Sequence, residues 1–467
     1  NNISKYYYSI NDGAYTESTN SSYTFTGLNE KTNYSIKVKV VDTLGKESNV
    51  YSLSATTDEY VLPSITNVST SSTESSITIN VSASGGTGSV RKYYYSKDNG
   101  SNYEESTSSS YTFNNLTSDA TFYVKVYVKD SNNRESSVFA TSIKTKLPTI
   151  KDVCSSGTNL ASCIKTFGDK GSSISNIYHH DASLANGAGD NSYRYAGASD
   201  QVNNYVCFGS TTTPCPTDNL YRIIGVFGDK VKLIKSDYAT SALLGTDGDY
   251  KQAYTATGHY SFYYKGNNLA NIAGYTWNYK YDTSINNGMG SNTWSTSLLN
   301  KTNLNTNFIT NIGADWAAKI DMTTWKVGGN TKSNIHSQPA KTAYQNEIVS
   351  PVTTNTTDNV IEYRAKVGLM YASDYGFAAA PSAWTTNLWK YDGNGIINVN
   401  WMYMGLYEWT ISRDADGAFR VFNVSYTGGL SNSSAYYVHA VRPVFSLSSS
   451  ITYLSGDGTK TEPIRIN

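Results

Sequence analysis

One stretch of this chain is written twice. Lys5-Tyr6-Tyr7-Tyr8-Ser9 returns as Lys92-Tyr93-Tyr94-Tyr95-Ser96, and Ser22-Tyr23-Thr24-Phe25 returns as Ser110-Tyr111-Thr112-Phe113. Val38, Asp42 and Glu47 map onto Val126, Asp130 and Glu135, an offset of 88 residues; the first block is offset by 87, so one residue is inserted between the two. A repeat of this length has to build its own buried face. Short alternating runs within it suit a seven-stranded β-sandwich. Tyr34-Ser35-Ile36-Lys37-Val38-Lys39-Val40 alternates with period two, as does Phe122-Tyr123-Val124-Lys125-Val126-Tyr127-Val128. One face of each strand then enters a core while the lysines stay in water.

Leu28, followed by Tyr34, alternating Val, Asp42 and Gly45-Lys46-Glu47-Ser48, resembles the second half of a fibronectin type III domain. The resemblance implies that Leu28 and Tyr34 form a corner pinning the turn before the sixth strand. Leu116 and Phe122 stand in the same places of the second copy, without the phenol hydroxyl, and Val81 stands where the family carries a core Trp. The first copy begins near its third strand, and further repeats are expected upstream of Asn1. We therefore expect a partial repeat over residues 1–58 and a complete one over 59–149. Repeats of this family imply spacers that hold a terminal domain away from a surface.

The pattern changes after Lys146-Leu147-Pro148. All eight tryptophans lie beyond residue 270, all four cysteines lie beyond residue 150, and the repeat stops. Residues 150–467 are expected to form one larger α+β, ligand-binding domain. The fold class is thus mainly β: tandem fibronectin type III-like sandwiches plus an α+β domain. Lys+Arg and Asp+Glu both number 37, so the net charge is zero, which speaks against nucleic acid and against a Lys/Arg grip on lipid. No apolar run is long enough to span a bilayer, so no direct membrane insertion is expected.

Cys154 and Cys163 are nine residues apart, Cys207 and Cys215 eight. Neither spacing is that of a zinc ribbon or redox CxxC. Three connectivities exist, and four buried free thiols are a further alternative; two local disulfide loops are the expectation, with an oxidising, extracellular setting.

Tyr221–Phe227, a Gly228-Asp229-Lys230 turn and Val231–Lys235 read as a hairpin. Further strands are expected at Lys366–Ala372, Tyr407–Ile411, Phe419–Val424 and Val441–Phe445, and helices from Ser295 towards Ile309 and over Ala314–Ile320. Gly405-Leu406-Tyr407-Glu408-Trp409-Thr410, followed by Ala440-Val441-Arg442-Pro443-Val444-Phe445, resembles the closing portion of a C-type-lectin-like fold, in the formylglycine-generating-enzyme-like version of bacterial and phage surface proteins. Segments such as Asn219–Gly225 and Ser455–Thr459 resemble a C-terminal module of surface proteins of Gram-positive bacteria. The enzymes of that fold carry redox cysteines near the C-terminal end of the domain, whereas all four here precede residue 216.

Candidate chemistry is sparse. Tyr178-His179-His180-Asp181 holds metal-ligand residue types, but neighbours on a strand point to opposite faces. His259, His336 and His439 are single; His439, just before the Val441-Arg442-Pro443 segment, could line a binding face. Glu408 and Asp374 could form a carboxylate pair for glycoside hydrolysis, although Glu408 reads better as a buried acceptor. Asp414-Ala415-Asp416-Gly417 and Thr246-Asp247-Gly248-Asp249 are fragments of calcium loops without the downstream Glu. Trp384, Trp389 and Trp401 either stack on sugar rings or fill the core. The remaining signal is 412–437, where Arg413, Asp414, Arg420, Asn423, Tyr426, Asn432, Tyr436 and Tyr437 are mixed with Ser and Gly, the composition of an adaptable recognition surface. The expectation is a non-enzymatic adhesin or receptor-binding protein on a cell or virion surface, with no cofactor, no metal and no catalytic residue. Its ligand is a glycan or a protein on another surface. A structural subunit of an extracellular fibre, with fibre neighbours as partners, and a carbohydrate-active enzyme are the alternatives.

Overall fold

The computed structural model describes residues 2–254, 262–266, 269–352, 360–393 and 395–467. The chain falls into two compact units, Asn1–Leu147 and Pro148–Asn467. It is mainly β, with short helices confined to the second unit.

The first unit carries the repeat. Its first copy supplies β1 (Ile3–Ile10), β2 (Thr16–Ser18), β3 (Asn33–Asp42) and β4 (Tyr51–Thr56), which form one antiparallel sheet in the order β2-β1-β3-β4. The second copy supplies β5 (Ser64–Ser72), β6 (Ile77–Ser84), β7 (Val90–Ser96), β8 (Glu104–Ser106), β9 (Ser110–Phe113), β10 (Thr121–Asp130) and β11 (Phe139–Lys144). These make a three-stranded sheet, β5-β6-β9, and a four-stranded one, β11-β10-β7-β8. Ile77, Ile79 and Val81 from the first sheet meet Tyr95, Val124, Val126 and Val128 from the second. Each such side chain contributes about 1.5–3 kcal/mol when fully buried. The alternation in the sequence is therefore the inside–outside pattern of β10. Ser22–Phe25, the counterpart of β9, forms no ladder among the described residues.

The repeated residues make repeated bonds. Tyr7 donates to Glu17 at 2.6 Å and Tyr94 to Glu105 at 2.7 Å. Tyr8 donates to the Asn20 carbonyl and Tyr95 to the Ser108 carbonyl, both at 2.9 Å. Asp42 accepts from the amides of Leu44 and Lys46, and Asp130 from those of Asn132 and Arg134, which closes the same turn twice. The Tyr34 corner is present: its hydroxyl accepts the Asn29 amide at 2.7 Å. Phe122 cannot do this, and Leu116 instead packs into the core of the second copy.

The second unit is built on a seven-stranded sheet. β12 (Ile177–His179), β13 (Tyr193–Tyr195), β14 (Tyr205–Cys207), β15 (Leu220–Phe227) and β16 (Lys230–Lys235) belong to it, the last two joined through Gly228 at φ +63°. β17 (Tyr250–Ala253) pairs with β18 (Ala273–Tyr275), and β19 (Thr323–Lys326) with β21 (Glu362–Ala365). A four-stranded sheet joins β20 (Gly329–Asn330), β23 (Glu408–Asp414), β24 (Arg420–Val424) and β25 (Leu430–Ser434). β22 (Val367–Gly368) and β26 (Val444–Ser446) complete the large sheet beside β16, and β27 (Tyr453–Ser455) pairs with β28 (Arg465–Ile466). A helix over Leu160–Gly168, capped by the Asn159 side chain, lays Leu160, Ile164 and Phe167 on the large sheet. Six tryptophans, Trp277, Trp294, Trp325, Trp384, Trp401 and Trp409, are fully buried.

Cys154 pairs with Cys163 and Cys207 with Cys215, with Cα separations of 5.5 and 5.9 Å. Three element expectations change. The strand expected over Lys366–Ala372 stops at Gly368, because Ala372 opens a helix through Phe377 whose start is held by Asp374. The strand expected from Val441 begins at Val444, because Arg442 is drawn aside to Glu408. The helix expected from Ser295 towards Ile309 begins at Leu299 and runs as π-helix to Phe308. Asn305 inside it reaches the amide and carbonyl of Val367.

Candidate functional site

β23 has Glu408 through Asp414 all buried, so its polar residues must find partners inside the protein. Arg413 donates to the carbonyls of Asn292 at 3.3 Å and Val360 at 2.6 Å. Asp414 accepts from the Asp416 amide and from the Asn432 side chain. Asn423, on β24, donates to the Ser433 hydroxyl at 3.0 Å. These three lie inside the protein, beneath the surface that their composition suggested. Arg420, Tyr426, Asn432, Tyr436 and Tyr437 are exposed or half-buried, with Tyr437 at 49%.

Arg420, Asn432 and Tyr437 border a groove of about 730 Å³ that runs along β25. Tyr407, His439 and Lys332 also line it. Aromatic rings follow one another along this region. Tyr436 stacks on Tyr437 at 4.4 Å, Tyr437 is parallel to His439 at 6.4 Å, and His439 stacks on Tyr407 at 5.1 Å. Tyr407 then meets Tyr426 edge-on at 5.4 Å, and Tyr426 meets Tyr263 at 5.3 Å. His439 is the buried hinge of this series. Its Nδ1 faces the Val438 carbonyl and its Nε2 faces the Ser433 hydroxyl, so Nδ1 carries the proton and Nε2 accepts. Burial holds its pKa down at about 3, and the ring is neutral at physiological pH. The groove's charged lining residues are Lys332 and Arg420; Asp416, whose carboxylate accepts the Lys332 amide at 2.8 Å, stands close by.

Sequence reasoning missed Lys332 and Tyr407. Tyr407 had a signal: it lies two residues before Trp409, and both rings contact His439. Lys332 had none, since it reaches the groove from 84 residues before Asp416.

The remaining candidates resolve into structural roles. Both oxygens of Glu408 are held by Arg442, and Asp374 is held by Lys232 and Arg194, so these two carboxylates do not share a cleft as a free pair. His179 meets Asn191, whereas His180 is buried against Phe377 and Trp384 and accepts the Ala188 amide. The Asp249 carboxylate accepts four hydrogen bonds among the described residues, from Thr276, Tyr279, Lys280 and Leu299, as an internal anchor. Among the described residues no group of three or more His, Cys, Asp or Glu is placed to hold a metal. Trp384 and Trp401 fill the core, their indoles donating to the carbonyls of Ala379 and Tyr195. Trp389 is 41% exposed and lies parallel to His336. His259 lies outside the described residues. Among those residues, no helix is long and apolar enough to cross a membrane.

No protein-family model matches the chain, and no curated protein matches it. Solved structures similar to it include the fibronectin domains FN1–FN3 of chicken CNTN1, at 17% identity and TM-score 0.18, covering 31% of this chain and 57% of that one. The fibronectin(III)-like modules of Clostridium thermocellum CbhA match at 17% identity and TM-score 0.18, covering 31% and 79%. Chitinase ChiA74 from Bacillus thuringiensis matches at 20% identity and TM-score 0.17, over 19% of this chain and 14% of the chitinase.

Proposed function

We propose that this chain is a non-enzymatic extracellular recognition protein, an adhesin or receptor-binding protein. In this reading the sandwich repeats are spacers, and the second unit holds a glycan or protein of another surface in the groove along β25. The observation that carries the reading is the ring series from Tyr436 to Tyr426 beside a groove bordered by Arg420 and Asn432. Rigid aromatic faces supply contact area at little entropic cost, and the flanking hydroxyls and amides supply adaptable hydrogen bonds. Two disulfides support an oxidising location. The resemblance of 405–410 and 440–445 to a C-type-lectin-like closing portion points the same way.

The test is a glycan and host-protein binding screen with the intact chain, repeated with Arg420→Ala, Asn432→Ala and Tyr437→Ala. A ligand bound by the parent and lost in these variants supports the reading. A ligand bound equally by all three removes the groove from it. Filament assembly without binding favours the fibre subunit.

A further inference from the structure

A separate cavity of about 200 Å³ sits over the seven-stranded sheet. Its polar floor is a row across four strands. Arg194 on β13 lies opposite Gly225 on β15, Gly225 opposite Lys232 on β16, and Lys232 opposite Ser446 on β26. Cross-strand neighbours share a face of the sheet. The glycine between the two long cations adds no side chain, and both converge on Asp374 from the helix Ala372–Phe377. Lys232 bonds Asp374 at 2.5 Å, and Arg194 bonds Asp374 at 3.4 Å and Asp190 at 2.5 Å. The cavity walls include Phe227, Trp325, Tyr344 and Tyr371.

Two features of this cavity exceed what the fold needs. Lys232 is 7% exposed, and its ammonium makes one hydrogen bond among the described residues although it carries three donors. The rings of Tyr371 and Phe227, at 4.6 and 5.2 Å, surround the rest of that group. Thr323 also lines the cavity, and its hydroxyl, itself shut off from solvent, has no hydrogen-bond partner among the described residues. Few polar groups converging in an apolar, preformed concavity are the usual make-up of a small-molecule site.

The geometry points to a second binding site, distinct from the groove, for a small neutral molecule with one flat ring and one oxygen acceptor. Size sets the ring: an apolar cavity of about 150 Å³ already accepts benzene, and this one adds room for one polar substituent. Lys232 supplies the donors for that substituent. Charge sets the neutrality. Arg194 and Lys232 are already balanced by Asp190 and Asp374, and Lys326, the third cation on the lining, is paired with Glu362. A carboxylate would add an uncompensated negative charge beside Asp374, and an amine would face three cations. Glu347 lies behind the same helix, accepting the Ser373 amide, and its ionisation would oppose an anion further.

Benzamide, benzoate and benzylamine titrated into the full chain, read by saturation-transfer NMR and calorimetry, test this. Benzamide should saturate at millimolar concentration, with benzoate and benzylamine at least tenfold weaker. Lys232→Met and Thr323→Leu should each weaken benzamide at least tenfold. Thr323 is half-buried on a lining strand, so its larger replacement fills the cavity without breaking the ion network and decides the matter if Lys232→Met fails to fold. Absence of saturation by benzamide, equal or tighter binding of either charged probe, or undiminished binding in folded Thr323→Leu overturns the site. None of these outcomes bears on the groove along β25.

Discussion

Arg442 grips Glu408 with two parallel hydrogen bonds, Nε to Oε1 at 2.7 Å and Nη2 to Oε2 at 2.9 Å. The two residues are 1% and 2% exposed, and Nη2 also donates to the Met402 carbonyl at 2.7 Å. The pair ties β23 to the segment that leads into β26, and so ties the small sheet to the large one. Burial, the leading cause, raises the Glu408 carboxyl pKa, and the adjacent guanidinium opposes that rise without cancelling it. The Glu-Trp and Val-Arg-Pro segments of the sequence are therefore two halves of one ion pair.

Glu408→Gln should lower the stability of the second unit by about 3–5 kcal/mol, because it leaves the Arg442 charge buried without its counter-ion. Replacing both, as Glu408→Gln with Arg442→Met, should restore a good part of the loss. Chemical denaturation of the two variants measures this. A single variant as stable as the parent would remove the pair from the architecture.

The repeat was legible because it depends on local alternation, which a strand displays directly. The Tyr34 corner was legible only through the resemblance of Leu28 and Tyr34 to the fibronectin type III pattern, and its bond from the Asn29 amide was visible only in the structure. The binding face was legible only in part. Arg413, Asp414 and Asn423 carry recognition-type side chains, but β23 is covered on both faces, and composition says nothing about what covers a strand. The Arg413 cover comes from Asn292, 121 residues earlier. Lys332 was invisible because a single exposed lysine in a loop has no period. The buried tryptophans were ambiguous because an indole suits a core and a sugar platform equally until its nitrogen is seen to bond a buried carbonyl.

Tyr34→Phe should cost the first repeat about 1 kcal/mol, the net value of one hydrogen bond, with the Asn29 amide left unpaired. In the second repeat Phe122 occupies the matching position, and Phe122→Tyr should be neutral or gain up to about that amount. Urea titrations of the two variants distinguish a corner that stabilises from one that only marks the family.

Glu347 should make the second unit less stable as pH rises. It is buried, accepts the Ser373 amide at 2.7 Å and bonds the Ser412 hydroxyl, and burial, the leading cause, lifts its pKa to about 7. An unfolded Glu ionises near 4.5, so between those values the folded state holds a proton that the unfolded state has lost. The stability this group contributes is fully present below about pH 4.5 and is lost as pH climbs through about 7, a change of roughly 3 kcal/mol. Glu347→Gln, which keeps the shape and a donor for Ser412, should flatten that part of the profile. His180 and His439, both held down at about 3, act with the opposite sign: their contribution is present above about pH 6.5 and is lost as pH falls towards 3. Denaturant midpoints taken from pH 4 to 8 for the parent and Glu347→Gln separate the two trends; a parallel pair of profiles would contradict the assignment of Glu347.

The groove along β25 should separate from its supporting layer by the kind of damage each substitution does. Tyr437 is half-exposed and stacked on Tyr436, so Tyr437→Ala removes a contact face while the strand ladder stays intact. Arg420→Ala removes an exposed guanidinium at the opening of β24. Both should leave the melting temperature within about a degree or two of the parent, as exposed substitutions do. Each should weaken binding of whatever ligand the screen finds by about tenfold or more, the range of an interface hot spot. Arg413→Ala should do the reverse. It empties a site bonded to Asn292 and Val360, so a loss of about 2–4 kcal/mol in stability should precede any loss of binding. Measuring melting and affinity on the same three preparations is decisive: if Arg413→Ala binds poorly while melting like the parent, the recognition surface extends to Arg413 as the composition of the segment implied, and the division between groove and support at β23 is wrong.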